Sequence, residues 1–260
     1  MKLTFQAGDF RAALQAIRHA MTTEETRYYL RGVYLQSARD DQWNLVATDG
    51  HRMGVTRIRA IPNGPMHTWQ GILPADWVNQ VASAKKQKEW YHYELDLSDE
   101  MVRIGLHGAA EPLVGKLVDG TFPDYCRVMP TGTPEHGAIE LPAKNLKLAL
   151  QALCGFVKPI ADVNAVRLSF EKESVCRLLV KMTNYHWQSA GASVSIELAK
   201  PIDAPDIGFD AFRLLDIVKS LIPSLHNTIE LRHYGPSNPA IFCVPGQADH
   251  LQFVLMPTRI

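Results

Sequence analysis

The chain repeats itself, and repetition at a fixed spacing limits its fold more than any other feature of its 260 residues. Residues 5–17, FQAGDFRAALQAI, align with residues 141–153, LPAKNLKLALQAL, at an offset of 136. Ala7/Ala143, Phe10/Leu146, Arg11/Lys147, Ala13/Ala149, Leu14/Leu150 and Gln15/Gln151 coincide in identity or type. The same offset lays ILPADWV (72–78) on GFDAFRL (208–214), and an offset of 135 lays TDGH (48–51) on TNYH (183–186). One alanine-rich helix can match another by chance. Three ordered matches at nearly one spacing predict two copies of a single domain, 1–130 and 139–260, joined through 131–138, where the turn-rich run MPTGTPEHG (129–137) lies.

Both copies read alike. Apolar residues at i, i+3, i+4 and i+7 mark a helix at Phe10, Ala13, Leu14 and Ile17, and again at Leu146, Ala149, Leu150 and Leu153. Trp77, Val78 and Val81 mark a second helix, matched by Leu214, Leu215, Val218 and Leu221. The period then drops to two: Tyr91, Tyr93, Leu95 and Leu97 alternate with polar residues, Val102, Ile104 and Leu106 follow, and the second copy has Val166, Leu168 and Phe170. Helices on antiparallel strands predict an α+β fold.

The predicted helices are 9–20, 75–88, 144–158 and 210–222. They hold ten basic residues (Arg11, Arg18, Lys85, Lys86, Lys88, Lys144, Lys147, Lys158, Arg213, Lys219) against Asp9, Asp76, Asp210 and Asp216. That net of +6 leaves −6 for the rest of a formally neutral chain. A helix with one apolar face turns its lysines away from the sheet, so a basic helical surface and an acidic remainder are expected on different sides. Such a surface suits a polyanion held through its phosphates without sequence readout.

Other functions have little support. GxSxG, GxGxxG, P-loop and HExxH patterns are absent, so Asp49 and His51 lack the context of a catalytic triad. His107, His136, His186, His226, His233 and His250 lack metal-ligand spacing, and Cys126, Cys154, Cys176 and Cys243 form no CxxC pair. No enzyme activity, metal or cofactor is expected. With no apolar run near the ~18–20 residues of a membrane span and no apolar segment of a secretory signal, the expected location is the cytoplasm.

Four segments are more specific: RYYLRG (27–32), ATDGHRM (47–53), KLVDGTFPDYCRVMP (116–130) and FVLMPTRI (253–260). Together they closely resemble the bacterial DNA polymerase III beta sliding clamp family, over essentially the whole chain but matching only that family's second and third domains. The resemblance implies two tandem clamp domains in a six-domain ring, helices lining the hole and sheets forming the rim. Such a ring encircles duplex DNA, tethers a DNA polymerase and performs no chemistry; on DNA it is associated with the nucleoid. A two-domain chain covers a third of the ring and would close as a head-to-tail homotrimer. The region of Phe156 and Val157 and a strand edge of the first copy are the expected interface. A clamp loader is a further partner the family implies, with three seams leaving loader-free opening an alternative. The rival reading is a decoy that sequesters clamp-binding proteins without holding DNA.

Partner peptides in the family insert apolar anchors into a pocket between the second and third domains. By resemblance the matching positions are Leu30, Thr48, Gly50, His51, Arg52, Met53, Pro123, Arg127, Val128, Val254, Leu255, Met256, Pro257, Thr258 and Arg259. Leu, Val and Met suit an adaptable floor, and Arg and His a polar rim. Arg27 and Tyr28 are expected at the rim of the hole, adding to the ten helix cations as DNA contacts. Cys126, Thr258 and Arg213 depart from the usual family pattern, which bears on pocket shape and partner preference.

Overall fold

The computed structural model describes residues 1–64, 68–86, 88, 91–105, 111–155, 164–171, 177–183, 191–222 and 227–259. The chain forms two compact units, Met1–Asp124 with Asp249–Leu251, and Tyr125–Ala248 with Gln252–Ile260.

The first unit runs β1 (Lys2–Gln6), α1 (Ala7–Ile17), β2 (Gly32–Ser37), β3 (Gln42–Thr48), β4 (Arg52–Arg59), β5 (Ile61–Pro62), β6 (Gln70–Pro74), α2 (Ala75–Ser83), β7 (His92–Leu97), β8 (Met101–Ile104) and β9 (Leu113–Lys116). Its strands pair antiparallel in the orders β5-β1-β7-β8-β9 and β4-β3-β2-β6. The second unit runs β10 (Ala138–Pro142), α3 (Ala143–Gly155), β11 (Ala165–Glu171), β12 (Arg177–Thr183), β13 (Gly191–Glu197), β14 (Ile207–Asp210), α4 (Ala211–Leu221), β15 (Thr228–Arg232), β16 (Ala240–Cys243) and β17 (Leu251–Leu255). Its orders are β10-β15-β16-β17 and β13-β12-β11-β14. Apart from the short β5, the second unit reproduces the first strand for strand, so the repeat seen in sequence is a repeat of topology. The fold is α+β.

The alternating pattern sets the registers. Leu3 lies opposite Leu95 and Phe5 opposite Tyr93, and all four are buried. Phe5 stacks on Phe10 at 4.7 Å, Phe10 meets Trp77 edge-on at 6.4 Å, and α1 and α2 lie side by side. In the second unit Leu146, Leu150 and Leu153 of α3 and Leu214, Val218 and Leu221 of α4 are buried, and Phe209 packs edge-on against Phe242 at 5.4 Å. Each fully buried side chain of this kind contributes about 1.5–3 kcal/mol. That is why the periodic positions, rather than helix propensity, decide where the helices sit.

The helix ends depart from the sequence expectation. The helix expected over 9–20 begins at Ala7, where the Gln6 side chain accepts the Asp9 N–H at 2.6 Å, and ends at Ile17, the chain tightening into a 3₁₀ turn at Arg18–Ala20. The helix expected over 75–88 stops at Ser83. Its buried stripe of Trp77, Val78, Val81 and Ala82 would continue at positions 85 and 88, and both are lysines. A further turn would bury nothing and bring like charges together. The third helix is Ala143–Gly155, beginning one residue early; Lys158, Phe156 and Val157 lie outside the described residues, as do Leu106, Cys176, His107, His186 and His226. The fourth is Ala211–Leu221, with Asp210 as its cap, accepting the Arg213 N–H at 2.8 Å.

These ends change the charge balance. The four α-helices hold five bases (Arg11, Lys144, Lys147, Arg213, Lys219) against Asp9, Asp76 and Asp216, a net of +2 and not +6. The expected division into a strongly basic helical layer and an acidic remainder is therefore much weaker than the sequence suggested. Lys85, Lys86 and Lys88 are exposed on the segment after α2, not on the helix.

Candidate functional site

The β3–β4 turn is the most tightly organised of the predicted site segments. Asp49 Oδ1 accepts the N–H groups of His51 and Arg52, both at 2.9 Å, and the Asp49 N–H donates to the Arg52 carbonyl at 3.3 Å. The Thr48 hydroxyl donates to the same carbonyl at 2.8 Å and accepts the Gly50 N–H at 3.1 Å. Gly50 has φ +87°, a conformation that glycine adopts without steric cost. The turn is held from outside as well. Arg27 donates Nη1–H to the Asp49 carbonyl at 3.3 Å while its Nε pairs with Glu24 at 3.1 Å. Arg52 pairs with Asp49 at 3.2 Å and donates through Nη2 to the His19 carbonyl. The outcome is a rigid turn that leaves the His51 side chain exposed and Arg52 half-buried.

Nearby segments of the first unit are equally close-packed. Tyr28 and Tyr29 meet edge-on at 5.7 Å, and a β-carbon on Gly120 would lie 2.9 Å from Tyr29 Cβ. Phe122 stacks parallel on Tyr34 at 4.7 Å, and Tyr34 donates its hydroxyl to Gln70 at 2.7 Å, which fixes the chain just before the exposed Pro123. A polar cavity of about 360 Å³ lies among Gln70, Asp99, Glu100, Lys116 and Asp119, and none of the sequence-predicted residues lines it.

In the second unit, Arg127 and Val128 sit on a 3₁₀ turn, Tyr125–Val128, closed by the Met129 N–H on the Cys126 carbonyl at 3.4 Å. Arg127 is exposed and Val128 is 50% exposed. The C-terminal segment leaves β17 with Val254 and Leu255 buried and Met256 41% exposed, and the Thr258 N–H on the Gly208 carbonyl at 2.8 Å anchors it. Pro257 and Thr258 are half-buried and Arg259 is exposed.

The fifteen predicted peptide positions thus separate by burial. Leu30, Met53, Val254 and Leu255 are core-facing; Gly50, His51, Pro123, Arg127, Val128, Met256 and Arg259 are exposed; Thr48 and Arg52 are spent on the turn. The Asp49-Gly50 pair signals a tight turn that brings His51 and Arg52 to the surface, but sequence reasoning left Asp49 itself out of the site, and its carboxylate organises that turn. Sequence reasoning also missed that Arg27 is a brace for that turn.

The predicted DNA contacts separate in the same way. Lys144 is exposed and Lys147 half-exposed on α3, and among the described residues neither is paired with a carboxylate. Lys85, Lys86 and Lys88 are exposed after α2, and Tyr28 is exposed. Other predicted contacts interact within the protein. Arg213 pairs with Asp210 at 3.1 Å, Lys219 faces Asp216 at 3.8 Å, and Arg18 donates to Ser83 Oγ at 3.0 Å. Arg11 flanks the buried face of α1, with its Nε buried and its charge lowering the pKa of Tyr93, a phenol that burial first pushes up. Among the described residues no three His, Cys, Asp or Glu side chains are grouped to hold a metal, and no helix is long and apolar enough to cross a membrane. Burial pushes the thiols of Cys154 and Cys243 up to about 11, which keeps both protonated near neutral pH.

Residues 4–124 match the family described as DNA polymerase III beta subunit, central domain. The beta sliding clamp of Caulobacter vibrioides strain NA1000 is 28% identical over 246 residues, 94% of this chain and 62% of that protein. The beta sliding clamp of Escherichia coli K12 is 26% identical over 85% of this chain and 56% of its own length. Among solved structures, the Caulobacter crescentus beta sliding clamp superposes on the whole chain with a TM-score of 0.83 at 25% identity, over 65% of its own length. A sliding clamp from Bartonella birtlesii bound to griselimycin gives 0.80 at 27% identity, over 66% of its length. The chain thus spans a little under two thirds of these relatives. Through the matched central domain, the near full-chain alignments and the duplicated antiparallel fold, the chain is similar to the beta sliding clamps.

Proposed function

We propose that the protein is a non-catalytic sliding clamp that encircles duplex DNA and tethers a DNA polymerase or another clamp-binding protein. The observation that carries the reading is the Asp49-centred turn, a braced platform presenting His51 in the segment that matches the family's peptide-recognition motif. Gly50, His51, Arg52 and Pro123 from the first unit, and Arg127, Val128, Met256, Pro257, Thr258 and Arg259 from the second, contact the partner peptide. Leu30, Thr48, Met53, Val254 and Leu255 support them from beneath. Griselimycin bound to the Bartonella birtlesii clamp supports a ligand site on this fold. Three copies of a two-unit chain complete six units, joined head to tail. On DNA the clamp works in the cytoplasm, at the nucleoid. Lys85, Lys86, Lys88, Lys144 and Lys147 make the principal phosphate contacts.

The net charge of only +2 on the helices favours a second reading, a decoy that binds clamp-binding peptides without holding DNA. Charge reversal at Lys85, Lys86, Lys144 and Lys147 separates the two. A tether loses its stimulation of processive synthesis on a primed circle while its peptide affinity stays unchanged. If wild-type protein fails to stimulate synthesis and the reversed variant inhibits a polymerase as well as wild type does, the decoy reading stands.

A further inference from the structure

Two turns of the second unit are joined by one buried imidazole. The first lies just before β10, where the Gly137 N–H donates to the Pro134 carbonyl at 3.2 Å and Gly137 has φ +68°. The second follows β15: Gly235 has φ +97°, and the Asn238 N–H donates to the Gly235 carbonyl at 3.2 Å. His233 is fully buried and touches both. Its carbonyl accepts the Glu135 N–H at 3.1 Å, its Nδ1 accepts the Gly235 N–H at 3.0 Å, and the His136 ring meets it edge-on at 5.6 Å.

The arrangement holds only while the ring is neutral. Because Nδ1 accepts a hydrogen bond, the neutral ring carries its proton on Nε2, which is buried with no hydrogen-bond partner among the described residues. A second proton has to go to Nδ1, where it meets the Gly235 N–H. Two donors then face each other and that bond is lost. The added charge is buried beside His136. Burial first and then His136 hold the His233 pKa below the usual histidine value, and Glu135, 3.9 Å from His136 Nε2, opposes them. Charges on the neighbouring elements act elsewhere. On β15, Glu230 and Arg232 pair at 2.6 Å, Cys243 of β16 donates to the same Glu230 at 3.8 Å, and Tyr234 feels that group. On β10, Glu140 is exposed opposite Glu230. Helix α3, packed on β15, carries exposed Lys144, half-exposed Lys147 and the thiol of Cys154, which Asp210, Asp216 and Lys219 influence.

We propose that His233 is an acid-sensitive latch: its neutral ring holds together the turns before β10 and after β15, and a proton on Nδ1 releases both. The released ring takes up that proton more readily than the latched one. The latch is therefore fully closed above about pH 6.5, and each pH unit below it weakens closure by up to about tenfold. The Pro134–Gly137 turn anchors the downstream end of the segment that carries Arg127 and Val128. Release loosens two residues assigned above to the partner peptide, so acid weakens peptide binding. That consequence rests on the clamp reading; the latch itself does not.

Hydrogen exchange of the full chain at pH 7 and pH 5, corrected for the intrinsic pH dependence of exchange, tests the latch. The amides of Glu135 and Gly235 are expected to lose protection by about tenfold on acidification, while those of β7 keep theirs. His233→Asn places an amide oxygen near the position of Nδ1, which keeps an acceptor for Gly235 without titrating, and its protection is expected to be independent of pH. Two variants at exposed residues move the response in opposite directions. Glu135→Gln removes the opposing charge and steepens it; His136→Gln removes the repelling ring and flattens it. Equal wild-type protection at the two pH values overturns the latch, and so does an unaltered response in both surface variants. Calorimetric titration with griselimycin separates the latch from the clamp reading. An affinity that falls at pH 5 in wild type but not in His233→Asn supports both. An affinity independent of pH in wild type overturns the coupling to the peptide site. No binding at either pH counts against the peptide site, and exchange alone then decides the latch.

Discussion

The guanidinium of Arg27 lies 2.8 Å from the point where Gly50 would carry a β-carbon. The two residues are 23 positions apart in sequence, yet the arginine occupies the space that the glycine leaves open. The β3–β4 turn is thus built by contact between two segments that share no local pattern.

The Gly50→Ala variant meets two penalties. Its φ of +87° is unfavourable for any residue with a β-carbon, and the methyl group displaces Arg27 from the Asp49 carbonyl. A loss of about 1–3 kcal/mol in stability is expected, together with a large fall in affinity for a clamp-binding peptide. Thermal melting and fluorescence anisotropy with a labelled peptide measure the two effects. An unchanged peptide affinity would detach the turn from the binding site.

Salt dependence distinguishes committed from uncommitted cations. Lys144 and Lys147 have no carboxylate partner among the described residues, whereas Arg213 is paired with Asp210. Lys144→Gln and Lys147→Gln are each expected to reduce the slope of log affinity against log salt for duplex DNA by about 0.9. Arg213→Gln is expected to change it much less, since its charge is already answered at 3.1 Å. Equal effects from all three would mean that the Arg213–Asp210 pair opens on DNA.

His233 makes the second unit sensitive to acid. Its ring is buried, Nδ1 accepts the Gly235 N–H at 3.0 Å, and His136 lies edge-on at 5.6 Å. Burial first, and then His136, hold its pKa below the usual histidine value, with Glu135 opposing. Because the unfolded chain takes up the proton more readily, the contribution to stability is complete above about pH 6.5 and is lost as pH falls below it. Each pH unit in that window removes at most about 1.4 kcal/mol. The melting temperature of wild type is expected to fall between pH 7 and pH 5, and His233→Gln to be less stable at pH 8 but with a flatter profile. Parallel pH profiles for the two proteins would exclude this histidine as the source.

The β2–β3 turn holds a stabilising substitution in reserve. Asp40 and Asp41 both have positive φ, 52° and 55°, and the Gln42 N–H closes the turn on the Arg39 carbonyl at 3.2 Å. Asn-Gly adopts two successive positive φ values more readily than Asp-Asp. Replacing the pair by Asn-Gly is expected to raise stability by about 0.5–1 kcal/mol. A higher urea midpoint at an unchanged m-value would confirm it; a lower midpoint would mean that the carboxylates hold the turn.

The duplication, the four helices and the buried positions of α1, α2, α3, α4 and β7 follow from sequence alone. Periods of 3.6 and 2 are local, and a residue such as Leu146 or Leu95 declares its face through its near neighbours. The Thr48-Asp49-Gly50 turn was legible for the same reason. Tertiary structure decided what those local rules leave open: where α2 stops, which cations are already neutralised, and which apolar residues of the predicted peptide segments are core. Arg27 reaches Asp49 across 22 residues, Arg52 reaches His19 across 33, and the Glu135 N–H meets the His233 carbonyl at 3.1 Å although the two are far apart in sequence. Such pairings depend on which side chains folding brings together, and burial and charge neutralisation are properties of that neighbourhood rather than of spacing along the chain.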